Sequence, residues 1–242
     1  GERAEIAFVP DITDVQPVYV MTIVDGVETI TPISTGREVV LLEQLGGDEK
    51  INGILLQLPL PEGIRERRVL EAIAPEKDVD AFHPENVGRL VQGQARYLPC
   101  TPAGVMELLR AAGVDPAGRR VTVVGRSLVI GRPAALLLTR ADATVTLCHR
   151  KTPDLVARCR AADILLAAAG APGLITPECV RPGQIVLDAG ATALPDGTLR
   201  GDVTPAAAAI AACTPVPGGI GSVTTALLLR HTVQAAEKSH HF

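Results

Sequence analysis

From about residue 97 to about residue 214, short β-branched runs alternate regularly with helical stretches, and this rhythm restricts the fold more than any other feature. Strands separated by helical crossovers pair in parallel and are covered by those helices. Strands are read at 6–9, 18–24, 51–58, 121–124, 144–148, 164–168 and 185–188. The clearest helix start is Pro99-Cys100-Thr101-Pro102, with Thr101 as N-cap and Pro102 at the first helical position. Val105, Leu108, Leu109 and Ala112 then share one helical face, and Gly113 and Pro116 end the helix. The alanine-rich stretch 206–212 reads as a further helix, and 221–237 as a final one that returns to the first domain. The domain boundary falls near residues 97–101.

The 242 residues can bury a sizeable core, and with aromatics at 2% that core is filled by Val, Leu, Ile and Ala. A net charge of -4 argues against nucleic-acid binding, which needs a broad basic face. The five cysteines, at 100, 148, 159, 179 and 213, have no metal-ligand spacing, so neither a metal site nor structural disulfides are expected. No apolar run reaches the length of a membrane span, and residues 1–20 lack the pattern of a signal peptide. These readings describe a soluble, cytoplasmic chain with no membrane partner. The terminal Ser239-His240-His241-Phe242 is given no chemistry.

Val121-Thr122-Val123-Val124-Gly125-Arg126-Ser127 leads into Gly131-Arg132-Pro133 and an apolar stretch at 134–138. Strand, glycine turn and helix in this order aim backbone N–H groups and a helix N-terminus at a pyrophosphate. The pattern is not G-x-G-x-x-G, and taken alone it also describes a plain βα turn. The next strand adds information. It ends in His149-Arg150-Lys151, where an NAD-selective fold places an acidic residue for the ribose hydroxyls. With Arg126, these cations suit a 2'-phosphate and so favour NADP; the alternative is a solvated basic strand end.

Five segments together resemble the 5,10-methylenetetrahydrofolate dehydrogenase/methenyltetrahydrofolate cyclohydrolase family. They are Gly53-Ile54-Leu55-Leu56-Gln57-Leu58-Pro59-Leu60-Pro61, Pro75-Glu76-Lys77-Asp78-Val79-Asp80, Pro99-Cys100-Thr101-Pro102, Val124-Gly125-Arg126-Ser127 and Pro215-Val216-Pro217-Gly218-Gly219-Ile220-Gly221. Their order and spacing match over roughly residues 50–237. The resemblance implies an α/β protein: a mixed α/β N-terminal catalytic domain at 1–98, a Rossmann-type NAD(P)-binding domain at 99–220, and a cleft between them. It also implies NADP as cofactor, a tetrahydrofolate derivative as substrate, a homodimer, and no metal.

By matched position, Tyr19, Gln57 and Asp80 are the catalytic and substrate-binding residues, with Gly218 and Gly219 also at the substrate. Asp80 suits a pterin, because one carboxylate accepts hydrogen bonds from a ring N–H and the adjacent amino group. Asp78 beside it is read as part of a solvated turn. Thr101, Gly125, Arg126, Ser127, Ile130, Arg150, Gly221 and Thr224 match positions that contact the dinucleotide.

The match breaks near the start. The family's Tyr-Val-x-x-Lys motif begins here as Tyr19-Val20-Met21-Thr22, but Ile23 replaces the lysine that drives cyclohydrolase chemistry. Against the family pattern the tract 19–26 reads as short and the expected opening helix is not read ahead of it; Lys50 is not a substitute. Ala81 replaces an expected glycine, and Ser222-Val223 an expected Pro-Met. Dehydrogenase activity with poor or absent cyclohydrolase activity is therefore expected. The departures also leave open a modified folate, another one-carbon carrier, or an impaired member that retains NADP binding.

Overall fold

A computed structural model describes residues 18–24, 27–33, 38–58, 60 and 63–239, with side chains over 39–58, 60 and 63–237. The chain divides into two compact units, Gly1–Leu98 with Leu228–Phe242, and Pro99–Leu227. The strand read at 6–9 lies outside the described residues, as do the side chains of Tyr19 and Ile23.

In the first unit, β1 (Val18–Val24), β2 (Val27–Ile33) and β3 (Ile51–Leu56) form a sheet of order β2-β1-β3. Both pairings are antiparallel, unlike the parallel arrangement that the alternating rhythm predicts. Val24 pairs with Val27, and a two-residue connection permits only antiparallel pairing. The strand read at 51–58 ends at Leu56. Helix α1 (Glu38–Gly47) and α2 (Glu66–Leu70) bring Leu42, Val69 and Leu70 against Ile51, Ile54 and Leu56. The Lys77 ammonium donates to the carbonyls of Gly46 and Asp48, both at 2.7 Å, satisfying acceptors that the end of α1 leaves open. Helix α3 (Pro84–Gln92) starts at His83, whose Nδ1 accepts the Glu85 N–H, and stops at Gly93 in the left-handed region.

The second unit contains α4 (Cys100–Ala111), β4 (Arg120–Val124), α5 (Gly131–Arg140), β5 (Thr144–Cys148), α6 (Leu155–Ala161), β6 (Ile164–Ala167) and β7 (Ile185–Asp188). A small antiparallel pair, β8 (Thr192–Ala193) and β9 (Leu199–Arg200), follows. Then come α7 (Pro205–Ala208), β10 (Ala212–Cys213) and α8 (Ile220–Ser239), the last running on into the first unit. The main sheet is parallel throughout, in the order β10-β7-β6-β4-β5.

Strands β4 and β6 are apolar almost throughout because both faces of this sheet are covered. Val121, Val123, Ile164 and Leu166 pack with Val105, Leu109, Ala134 and Leu138 on one side. Val124, Leu165, Ala167 and Val186 pack on the other with Cys148, Cys159 and Cys179, all three thiols buried. Thr122, the buried polar residue within β4, donates its hydroxyl to the Arg158 carbonyl at 3.0 Å.

Two helix readings are corrected. Thr101 is not the N-cap of α4: Pro99 holds that position, and Pro102 lies third in the helix. Proline is tolerated there because the first-turn N–H groups have no intrahelical acceptor. The stretch 206–212 is not one helix. A single turn capped by Thr204 ends at Ala208, and Ala212 pairs with Ile185 in the sheet. Sheet pairing overrides the helix propensity of alanine.

Candidate functional site

In the second unit, β5 lies on one side of β4 and β6 on the other, so the chain reverses its direction of sheet growth at β4. Ligands of open α/β sheets bind at such a switch point, beyond the carboxyl ends of the strands. The turn leaving β4 occupies this place. Gly125 has φ +121°, and its N–H donates to the Cys148 carbonyl at 2.9 Å, tying the ends of β4 and β5 together. A Cβ on Gly125 would run into the Ala168 carbonyl oxygen, and one on Gly131 into that of Gly125. Only glycine lets the turn pass this close to the next strand and to the start of α5.

Ser127 organises the turn from within, since its Oγ accepts the N–H groups of Ile130 at 3.1 Å and Gly131 at 3.4 Å. The N-terminus of the ten-residue α5 therefore opens onto the turn, an end that favours anions. Arg126 and Arg150 are both exposed, at the carboxyl ends of β4 and β5 respectively.

On the other side of the switch point lies a pocket of about 410 Å³. Its walls come from the loops after β7 and β10, the first turns of α8, and Thr101 of α4. Thr101, Ile130, Gly218, Gly219, Gly221 and Thr224, all expected at a ligand, line this one pocket. Thr224 Oγ1 lies 3.3 Å from Thr101 Oγ1 and 3.0 Å from the Ile220 carbonyl, joining α4 to α8. Gly125, Arg126, Ser127 and Arg150 form the separate group at the ends of β4 and β5. Together the two groups make a strip along the carboxyl edge of the sheet, with the glycine turn between basic residues and pocket.

In the first unit, Gln57 follows β3 directly, is exposed, and donates its side-chain amide to the Leu58 carbonyl at 3.1 Å. Asp80 is half-buried in the segment after Lys77, whose carbonyl accepts the Ile54 N–H; the Val79 N–H donates back to Ile54. Asp78 corrects the solvated-turn reading, being only 2% exposed. Its Oδ2 accepts the His83 N–H at 2.7 Å and the Asn86 amide at 3.0 Å. Burial pushes this carboxyl above its usual range, while those bonds and the Asp80 N–H oppose the shift. Ala81 has φ +59°, in the left-handed region that favours glycine. On the far side of the segment, buried His231 places Nδ1 3.0 Å from the Val79 carbonyl and packs its ring near Tyr97.

Two carboxylates escape a sequence reading altogether. Asp188, at the end of β7, lines the pocket, and Asp202 lies wholly buried nearby, donating its backbone N–H to Asp188 Oδ1 at 3.0 Å. Burial pushes the Asp188 carboxyl up, against the pull of the Val203, Asp202 and Gly190 N–H groups. The signal in the sequence is slight: each aspartate has a glycine close by, at 190 and 201.

Strand order and glycine turn are those of a dinucleotide-binding α/β domain, and the glycine cradle fits such a cofactor. Residues 99–240 match the family described as "Tetrahydrofolate dehydrogenase/cyclohydrolase, NAD(P)-binding domain", and residues 28–80 match its "catalytic domain". The bifunctional protein FolD of Magnetococcus marinus is 48% identical over 216 residues, 88% of this chain and 76% of that protein. A crystal structure of FolD from Campylobacter jejuni superposes with TM-score 0.80 at 43% identity, covering 85% of this chain and 74% of that one. The Trypanosoma brucei FolD, solved with NADP cofactor and inhibitor, gives TM-score 0.80 at 40% identity, covering 87% and 75%. The chain belongs to the tetrahydrofolate dehydrogenase/cyclohydrolase family.

Proposed function

We propose that this protein oxidises 5,10-methylenetetrahydrofolate to 5,10-methenyltetrahydrofolate with NADP. The observation that carries this reading is the strip along the sheet edge: cations at the ends of β4 and β5, a glycine turn at the switch point, and a pocket beyond β7. Family membership supplies the substrate class, and the NADP complex of the T. brucei relative supports the cofactor.

In this reading Arg126 and Arg150 neutralise the 2'-phosphate, and the turn from Gly125 with the α5 N-terminus receives the pyrophosphate. Thr101, Ile130, Gly221 and Thr224 hold the nicotinamide half. When bound, NADP supplies the hydride acceptor. Asp80 is assigned the pterin ring, and Tyr19, Gln57, Gly218 and Gly219 are each assigned to the substrate by matched position in the family. The nitrogen lone pair beside the one-carbon bridge stabilises the cation that forms. No protein base is required for this step, and positioning is the main task of the residues.

Hydrolysis of the methenyl product differs, because it needs an activated water and a protonated leaving nitrogen. With Ile23 at the position of the family lysine, we assign this protein weak or absent cyclohydrolase activity. We also propose a homodimer in the cytoplasm, a reducing compartment that suits the buried thiols at Cys100, Cys148, Cys159 and Cys179.

A spectrophotometric assay of the purified protein with methylenetetrahydrofolate and each nicotinamide cofactor tests the proposal. Reduction of NADP in preference to NAD is expected, with little methenyl hydrolysis in a parallel assay. No folate-dependent reduction of either cofactor would overturn it.

A further inference from the structure

Asp188 and Asp202 are 4% and 0% exposed. Asp188 Oδ1 accepts the N–H groups of Gly190 at 2.9 Å and Asp202 at 3.0 Å, and its Oδ2 accepts that of Val203 at 3.0 Å. Asp202 Oδ2 accepts Ala169 at 2.6 Å and Gly170 at 3.1 Å, and its Oδ1 accepts Ala171 at 2.7 Å. Every oxygen acts as an acceptor, the pattern of ionised carboxylates. Among the described residues, no lysine, arginine or histidine forms an ion pair with either.

The backbone is shaped to admit these groups. A Cβ on Gly201 would run into Asp188 Oδ2, and one on Gly190 would lie 2.5 Å from Asp202 Oδ1. Buried charge without a counter-ion is costly, and backbone dipoles compensate it only in part. The site therefore carries negative potential at a pocket wall, where it acts on whatever enters.

The polarity of the strip identifies that ligand. With the 2'-phosphate half at the end of β5 and the pyrophosphate at the β4 turn, the rest of the dinucleotide runs past β6 toward β7 and the pocket. The nicotinamide ring is positively charged when oxidised and neutral when reduced. We propose that Asp188, backed by Asp202, is a specificity-determining group that makes this pocket prefer the oxidised, cationic nicotinamide. This rests on the cofactor reading above.

Calorimetric titration separates the proposal from a purely structural role. Three ligands are compared: NADP⁺, NADPH, and 2'-phospho-ADP-ribose, which lacks the ring. For Asp188→Asn, the Kd of NADP⁺ is expected to rise about 3- to 10-fold, the range for one charge pair screened between protein and water. The other two Kd values should move less than about 2-fold, since neither ligand carries the ring charge. Equal weakening of all three would reduce Asp188 to a loop anchor and overturn the proposal.

If that variant does not fold, the unaltered protein serves, with 1,4,5,6-tetrahydro-NADP as a neutral-ring competitor. NADP⁺ should bind at least about 3-fold more tightly than the competitor, and equal affinity would overturn the proposal. Unaltered protein that binds none of these ligands would instead refute the cofactor reading beneath it, and the proposal with it.

Discussion

The carboxylate of Asp78 accepts the side-chain amide of Asn86 at 3.0 Å, and the same amide donates to the Pro75 carbonyl at 2.7 Å. Both residues are nearly solvent-free. One buried amide thus closes the loop that carries Asp80, and Asn86→Ala would leave Asp78 short of a donor. The expected cost is about 1–3 kcal/mol in urea unfolding. Folate affinity should fall while NADP affinity holds. Unchanged stability would show that water replaces the lost donor.

Asp80→Ala tests the pterin contact itself. Folate binding should disappear while NADP binding stays within about 2-fold, because Asp80 is not among the residues assigned to the dinucleotide. Equal loss of both ligands would contradict the assigned role.

Gly125→Ala combines a backbone angle unsuited to an L-residue with a collision against the Ala168 carbonyl. A cost of roughly 2–4 kcal/mol is expected from such a change. Thermal unfolding with and without NADP should show both a lower Tm and a weaker cofactor-induced rise. A Tm equal to that of the parent would mean that the turn can move aside.

The double variant Arg126→Ala, Arg150→Ala addresses cofactor choice. Loss of charge-assisted phosphate contacts should reduce the preference for NADP over NAD by about 1–3 kcal/mol. The ratio of the two kcat/KM values measures it, and an unchanged ratio would remove the 2'-phosphate from this end of the sheet.

Asp163 sits between Arg120 at 3.0 Å and Arg181 at 3.2 Å. Hydrogen bonds from the Arg120 side chain, then from its backbone N–H, hold the carboxyl down at about 2. A depressed folded-state value means that the stabilisation is complete above the ordinary carboxylate range and disappears as pH falls toward 2. Asp163→Asn should therefore flatten the acid limb of stability in that window. The effect should be small and salt-sensitive, because the Arg120 side chain is 63% exposed. An acid limb identical to the parent's would assign it to other carboxylates.

The sheet of the second unit is legible in sequence for a physical reason. Strands covered on both faces must be short and apolar, so 121–124, 164–168 and 185–188 stand out between glycines and polar loops. The first unit is harder to read. Strand β2, Val-Glu-Thr-Ile-Thr-Pro-Ile, breaks regular alternation at Glu28-Thr29 and contains a proline, and its antiparallel register depends on a two-residue connection rather than on composition. The alanine run misleads because propensity is a weak prior beside a vacant sheet edge. Among site residues, those held by backbone geometry, such as Gly125 and Gly131, announce themselves through residue type. Asp78, Asp188 and Asp202 do not. An aspartate near glycine looks like a solvated turn until the donors that converge on it are seen together.

Cys159 has a consequence for how this molecule can be followed in solution. It is fully buried beside Cys148 and Cys179, and burial, with these neighbouring thiols, pushes its own thiol up to about 12. A closed sheet therefore presents none of these sulfurs to an alkylating reagent as an accessible atom, and Cys159 not as a thiolate either. Their labelling rate becomes a clock for transient opening of the parallel sheet, running without any dye or engineered probe. Cofactor that clasps the carboxyl edge should slow that clock in proportion to its occupancy.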